Sequence, residues 1–194
     1  MVVRKPSLRL GRSPVVILPA MILALGCGGS VPAAERATSI RFAIELADGV
    51  EGPMYVLLNQ ENDQPGWVRV SRDGERIYLK ERCEVPDCGV AAAVCGAALP
   101  FVRDLAGASG EKGIEFVWDL TTSVLDSASG CETREAAPAG DYVARFCFSR
   151  EATLEGQGDP TKAVMGRIAA PTCVDRPFTL EEQQVVLTIP SDSS

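Results

Sequence analysis

The 194-residue chain contains no histidine. That absence removes every Ser-His-Asp and Cys-His catalytic arrangement, since each needs an imidazole to take up and return a proton, and it removes histidine-ligated metal centres. Basic residues are in the minority, with 19 Lys+Arg against 26 Asp+Glu. Four of them, Arg4, Lys5, Arg9 and Arg12, lie in residues 1–26, where there is no acid. The rest of the chain therefore holds 15 basic and 26 acidic residues, a net charge near −11. Such a surface repels phosphate backbones and anionic headgroups, so no nucleic-acid partner is expected. A membrane-spanning length is also missing at the N-terminus: the apolar run 15–25 covers about 11 residues and contains Pro19, well short of the roughly 20 needed to cross a bilayer as a helix. Finally, an apolar period of 3.6 residues is scarce, which leaves little room for helices.

What is present begins with that N-terminus. Four basic residues followed by a short apolar run have the form of an export signal that is removed. The residues Ala24-Leu25-Gly26-Cys27 resemble the lipobox of bacterial lipoproteins. The resemblance implies cleavage in front of Cys27 and three acyl chains on that residue. At roughly 0.8 kcal/mol per buried CH₂, such an anchor is effectively permanent. Gly28 stands where an aspartate would resemble an inner-membrane retention signal, so the resemblance implies the outer membrane. Residues 1–26 are then a signal peptide and 27–38 a lipidated cysteine with a Gly/Ala/Ser/Pro-rich tether of at most about 35 Å. Residues 39–190 form one domain and 191–194 a tail. The expected partners are the membrane, through the lipid, and a protein of the envelope.

Besides Cys27 there are six cysteines: Cys83, Cys88, Cys95, Cys131, Cys147 and Cys173. In an exported chain an even set reads as three disulfides, out of 15 possible connectivities. A metal site on Cys83, Cys88 and Cys95 is the rival. Their spacing lacks the tight C-x2-C pair of zinc ribbons and no histidine completes a mixed site, so neither metal nor cofactor is expected. Cys147 shares a strand face with Val143 and Arg145, which places its partner in a neighbouring loop, and Cys173 is the choice.

Strand signals recur along the domain. Ile40, Phe42, Ile44 and Leu46 alternate with Ser39, Arg41, Ala43 and Glu45, the period-2 pattern of a strand with one buried face. Residues 54–59 follow the Gly52-Pro53 turn. Residues 67–71 and 76–80 flank Asp73-Gly74, a hairpin signal because its turn needs residues that tolerate positive φ. Residues 114–120, 141–149 and 185–189 alternate again. About seven strands with turn chemistry between them predict an all-β fold, a single antiparallel β-sandwich. Residues 82–112 form an insertion without periodicity, restrained by three cysteines, with a short helical turn at 89–95.

Phe116-Val117-Trp118-Asp119, then a polar loop, then Ala137-Pro138-Ala139-Gly140-Asp141-Tyr142-Val143-Ala144-Arg145 resembles the W-D … P-A-G-x-Y pattern of bacterial Ig-like domains. It is similar to the intracellular proteinase inhibitor family and to the Ig-like domain of flagellar hook-capping proteins, and Val68-Arg69-Val70 with Asp73-Gly74-Glu75 fits the inhibitor pattern too. The resemblance covers about half of the mature chain. It implies an Ig-like sandwich in which the strand ending at Trp118 crosses to the other sheet and Tyr142 packs at the corner.

Candidate chemistry is sparse. Ser109-Gly110-Glu111-Lys112 matches an S-x-x-K string, but Gly107, Gly110 and Gly113 argue against the helix that must present it. Asn59, Glu61 and Asp63 have calcium-loop spacing, yet Val70 stands where the bidentate glutamate belongs. Glu115 and Asp119 are the acids a carboxylate-based hydrolase would use. The better candidates are binding loops on a rigid scaffold: the cysteine-rich insertion, and residues 150–173 with Gly156, Asp159, Met165 and Arg167. The expectation is a non-catalytic, lipid-anchored binding or structural module. A proteinase inhibitor presenting an exposed loop is the first alternative, and a hydrolase the least favoured.

Overall fold

The computed structural model describes residues 37–59, 64–80, 87–88, 99–107, 113–156 and 158–191, all within the unit Ala34–Ser194. The described residues form strands and no helix. In chain order these are β1 (Ile40–Leu46), β2 (Tyr55–Leu57), β3 (Val68–Arg72), β4 (Glu75–Ile77), β5 (Phe101–Asp104), β6 (Gly113–Trp118) and β7 (Thr121–Asp126). They continue with β8 (Cys131–Ala136), β9 (Asp141–Phe148), β10 (Glu151–Leu154), β11 (Val164–Ala169), β12 (Thr172–Thr179) and β13 (Gln184–Ile189). Four sheets result, in the orders β13-β1-β6, β12-β9-β3-β4, β10-β11-β5-β2 and β7-β8.

The first two sheets share an apolar core, and β1 shows why. Ile40, Phe42, Ile44 and Leu46 point inward and are buried, while Arg41 and Glu45 project to the other side. Successive side chains of a strand face opposite ways, so alternation in sequence becomes sorting in space. Phe42 meets Phe146 of β9 at 6.4 Å and Phe178 of β12 at 5.4 Å, edge-on in both cases, and stacks with Trp118 of β6 at 6.3 Å. Trp67, Trp118, Tyr142, Phe146 and Phe178 complete this cluster, so few aromatics suffice because they are concentrated at one place. Each pair contributes roughly 0.5–1.5 kcal/mol beyond area burial. Val185, Leu187 and Ile189 of β13 close the core from the last strand.

Two local features hold the frame. Asp73 and Gly74 have φ of 53° and 82°, and Arg72 pairs with Glu75 across them, so β3 and β4 form the two-residue hairpin whose turn requires positive φ twice. At the second feature, the Trp118 indole donates to the Thr121 carbonyl at 2.6 Å and packs edge-on against Tyr142 at 5.9 Å. The Tyr142 hydroxyl in turn donates to the carbonyl of Pro138. Tyr142 thereby ties the start of β9 to the turn that feeds it.

The structure corrects several expectations. Among the described residues there are thirteen strand segments where about seven were expected, and β1 pairs with β13 in parallel, so the fold is not purely antiparallel. Inside the 82–112 insertion, Phe101–Asp104 is a strand, β5, bonded to both β2 and β11. After Trp118 the chain does not cross to the facing sheet; it forms the separate β7-β8 hairpin where a loop was expected. Residues 150–173 likewise contain β10, β11 and the start of β12. β5 buries Val102 but its other inward residue is the polar Asp104, β11 is inward at Val164 and Gly166, and β7, β8 and β10 bury few apolar side chains, so none of them shows a sustained apolar alternation in sequence. Ala37 already packs on the core, ahead of Ser39. The expected signal segment, Cys27, Cys83, Cys95, the residues 89–95 where a helical turn was expected, and the terminal 192–194 lie outside the described residues.

Candidate functional site

The four residues singled out between 150 and 173 do not sit on one loop. Gly156 and Asp159 belong to the connection between β10 and β11, whereas Met165 and Arg167 lie on β11 itself, a correction to their placement in a binding loop. The connection is anchored. Asp159 accepts from the Thr161 amide at 3.0 Å and its hydroxyl at 2.7 Å, and these bonds hold its carboxyl below the usual carboxylate range. The adjacent Pro160 carbonyl accepts from the Asp104 amide at 2.7 Å. Met165 pairs with Phe101 and Arg167 with Thr153. Gly166 between them is a place for close approach: a Cβ there would stand 2.6 Å from the Thr153 carbonyl oxygen.

The acids considered for catalysis are engaged elsewhere. Glu115 projects outward from β6 and takes the Arg41 guanidinium at 2.7 Å, while Arg41 also reaches Glu45 at 3.2 Å. These bonds, that to Glu115 foremost, raise the Arg41 pKa above its ordinary value. Asp119 caps the turn into β7 by accepting from the Thr121 amide and hydroxyl, with Arg134 at 3.2 Å. Burial would push its carboxyl up, but the Thr121 bonds and the Arg134 charge together bring it below the usual value. Asn59 spends its side-chain oxygen on the Phe101 amide at 3.0 Å; Glu61, Asp63 and the Ser109–Lys112 string lie outside the described residues.

Two buried polar residues had no sequence signal and turn out to be backbone clamps. The Asp104 carboxylate accepts from the amides of Met54 at 2.8 Å and Ala106 at 3.0 Å. Gln64 takes the Leu79 amide at 2.9 Å and donates to the Lys80 carbonyl at 2.8 Å, bonding the backbone that follows β4. Buried backbone groups must find partners, and these side chains supply them. Among the described residues, no cluster of three or more His, Cys, Asp or Glu is placed to hold a metal.

Two disulfides stand among the described residues. Cys147 pairs with Cys173, directly across the β9-β12 ladder, so the partner comes from a strand and not from a loop. Cys88 pairs with Cys131 at the start of β8, where the Cys88 amide also donates to the Glu132 carbonyl at 2.9 Å.

Sequence reading also missed the outward face of the β12-β9-β3-β4 sheet. Register places Arg69 of β3 opposite Arg145 of β9, and Arg145 opposite Asp175 of β12. Arg145 grips Asp175 through Nε and Nη2, both at 2.7 Å, and this bond holds the aspartate below its usual pKa. The pair is about half exposed, so its worth to stability is small. Arg76 of β4, its guanidinium 5.1 Å from the Tyr78 ring, joins the others around an open groove of about 490 Å³. Comparisons with protein families, with curated proteins and with solved structures found no match to this chain.

Proposed function

We propose that the chain is a lipid-anchored, non-catalytic module of the bacterial envelope, in which an Ig-like β-sandwich carries a binding or structural surface. The observation that carries this reading is the commitment of the polar groups: Glu115, Asp119, Asp104 and Gln64 each serve an ion pair, a turn or the backbone. A catalytic acid needs freedom to exchange a proton with substrate, and these groups are held in place by folding. The Ig-like reading is supported by the Tyr142 bond to a carbonyl four residues upstream, the tyrosine-corner arrangement at the start of a sandwich strand. Disulfides support an oxidising compartment. The lipobox resemblance at Cys27 supports the anchor and, with Gly28, the outer membrane.

The test has two arms. Cys27→Ser is expected to release the full-length protein from the membrane fraction and to abolish acyl labelling; a variant that stays membrane-bound refutes the anchor. Full-length protein in detergent is expected to retain a stoichiometric envelope component that the reduced protein does not. Turnover of an envelope substrate lost in Glu115→Gln or Asp119→Asn would overturn the non-catalytic reading.

A further inference from the structure

We propose that β12 is a dimerisation edge: two copies of the chain join strand to strand about a twofold axis at Val174, continuing the β12-β9-β3-β4 sheet into its mate. The proposal goes beyond the binding-module reading and does not depend on the anchor at Cys27. It starts from the direction in which each residue of β12 turns its backbone. The Cys147 amide donates to the Trp67 carbonyl at 2.8 Å, so Cys147 directs its backbone groups toward β3 and away from β12. In an antiparallel ladder, facing residues alternate between pairs that exchange bonds and pairs that do not. Cys173↔Cys147 and Asp175↔Arg145 are therefore non-bonded pairs, while Val174↔Phe146 and Arg176↔Ala144 exchange bonds. Cys173, Asp175, Pro177 and Thr179 thus turn their backbone groups to the far side of β12, where no strand pairs among the described residues. Thr179 agrees with this: on that side its amide donates to the Glu182 carboxylate at 2.9 Å and its carbonyl accepts the Glu182 amide at 3.2 Å.

This edge is closed at its ends and open between them. Thr179 is occupied, Pro177 has no N–H to offer, and Pro171, two residues ahead of Cys173, lacks one as well. Between the prolines, Cys173 and Asp175 are exposed, and each presents one donor and one acceptor. The window fits its own copy. With Val174 on the axis, Cys173 faces Asp175 of the second copy and Asp175 faces its Cys173, so four N–H to carbonyl bonds close. Neighbouring registers do worse. An axis at Cys173 sets Asp175 against Pro171, which has no N–H, and an axis at Asp175 sets two carboxylates directly opposite, a destabilising like-charge pair. In the Val174 register, Arg176 faces Thr172 of the second copy in a non-bonded pair, where side chains come closest, and the guanidinium meets a hydroxyl. Asp175 arrives with its charge already met by Arg145. The shortness of the window favours a copy over a foreign peptide. A peptide gains from a longer edge, whereas a symmetric pair needs a short one, because a long edge allows several registers and open-ended growth.

The experiment follows hydrogen exchange at the Cys173 and Asp175 amides by NMR in the full-length protein, held in detergent with micelles in excess, across a concentration series. Sedimentation equilibrium in density-matched detergent gives the mass at each step. Both amides are expected to exchange freely when dilute and to become protected as the dimer forms. Asp175→Pro removes one donor per copy, two of the four bonds, and is expected to weaken the dimer about thirtyfold. Asp175→Asn, which loses the charge pairing with Arg145 but keeps the backbone donor, is expected to dimerise as the parent does. Thr172→Lys sets a like charge against Arg176 twice across the axis and is expected to weaken the dimer about tenfold, and adding Arg176→Glu is expected to restore it. Thr172 and Arg176 are exposed, and an unchanged thermal midpoint checks folding. A chain that stays monomeric with both amides unprotected overturns the proposal. So does a dimer in which those amides remain unprotected, or one that Thr172→Lys leaves unchanged, since either places the contact elsewhere. Protection that appears only when envelope extract is added overturns the copy in favour of a foreign strand.

Discussion

Replacing Cys147 and Cys173 together by alanine is expected to destabilise the full-length protein by about 3.5 kcal/mol while leaving its native structure unchanged. The magnitude follows from where the crosslink sits. Its ends are 26 residues apart, and a chain closed at that separation loses conformational entropy worth about 3.5 kcal/mol at room temperature in its unfolded state. In the folded state the crosslink adds little order of its own, because β9 and β12 are already paired in register from Thr172↔Phe148 to Thr179↔Asp141. Urea unfolding followed by far-UV circular dichroism and tryptophan fluorescence checks both halves. With a slope of roughly 2 kcal/mol per molar urea, the midpoint falls by nearly 2 M. The folded spectrum of the variant should overlay that of the parent. An unmoved midpoint refutes the entropic argument. An altered native spectrum refutes it differently, by showing that the bond holds β12 in place and the ladder alone does not.

Two further outcomes are expected. Tyr142→Phe removes only the hydroxyl that bonds the Pro138 carbonyl; because Pro138 is exposed and water can replace the donor, the loss should be about 1 kcal/mol by urea unfolding, and a loss above about 3 kcal/mol would refute that account. The Asp175 carboxyl, depressed by its bond to Arg145, titrates below its unfolded value, so its contribution is present above about pH 4 and fades as pH falls through the folded pKa. In a carboxyl NMR titration, Arg145→Gln should move the Asp175 midpoint upward, and an unchanged midpoint would exclude the bond as cause.

The strands legible in the sequence are those with one face in the core. β9 and β13 alternate because one side meets other side chains and the other is more open, and β1 does the same apart from Ala43, which is small and buried on the outer side. The β3-β4 hairpin was legible from Asp73-Gly74, whose turn few other pairs tolerate. β12 was not: apart from Phe178 its side chains are largely exposed, and it even carries Pro177, which a strand accepts at a sheet edge. β7 and β8 form a sheet of their own, and β8, Cys131–Ala136, reads as a polar loop. The arginine face escaped for another reason. Arg69, Arg145 and Asp175 are distant in the chain, and only the pairing register makes them neighbours. Composition records how many arginines there are and not which ones meet.

The parallel pairing of β1 with β13 bears on how the chain is made. Arg41 is matched with Gln184 and Leu46 with Ile189, so the first strand of the body waits for the last. Until those final residues emerge, β1 presents an open hydrogen-bonding edge and its neighbours lack Val185, Leu187 and Ile189. Closing so long a span before any reward arrives slows folding. A growing chain therefore stays threadable, and this sheet closes only once β13 has been made.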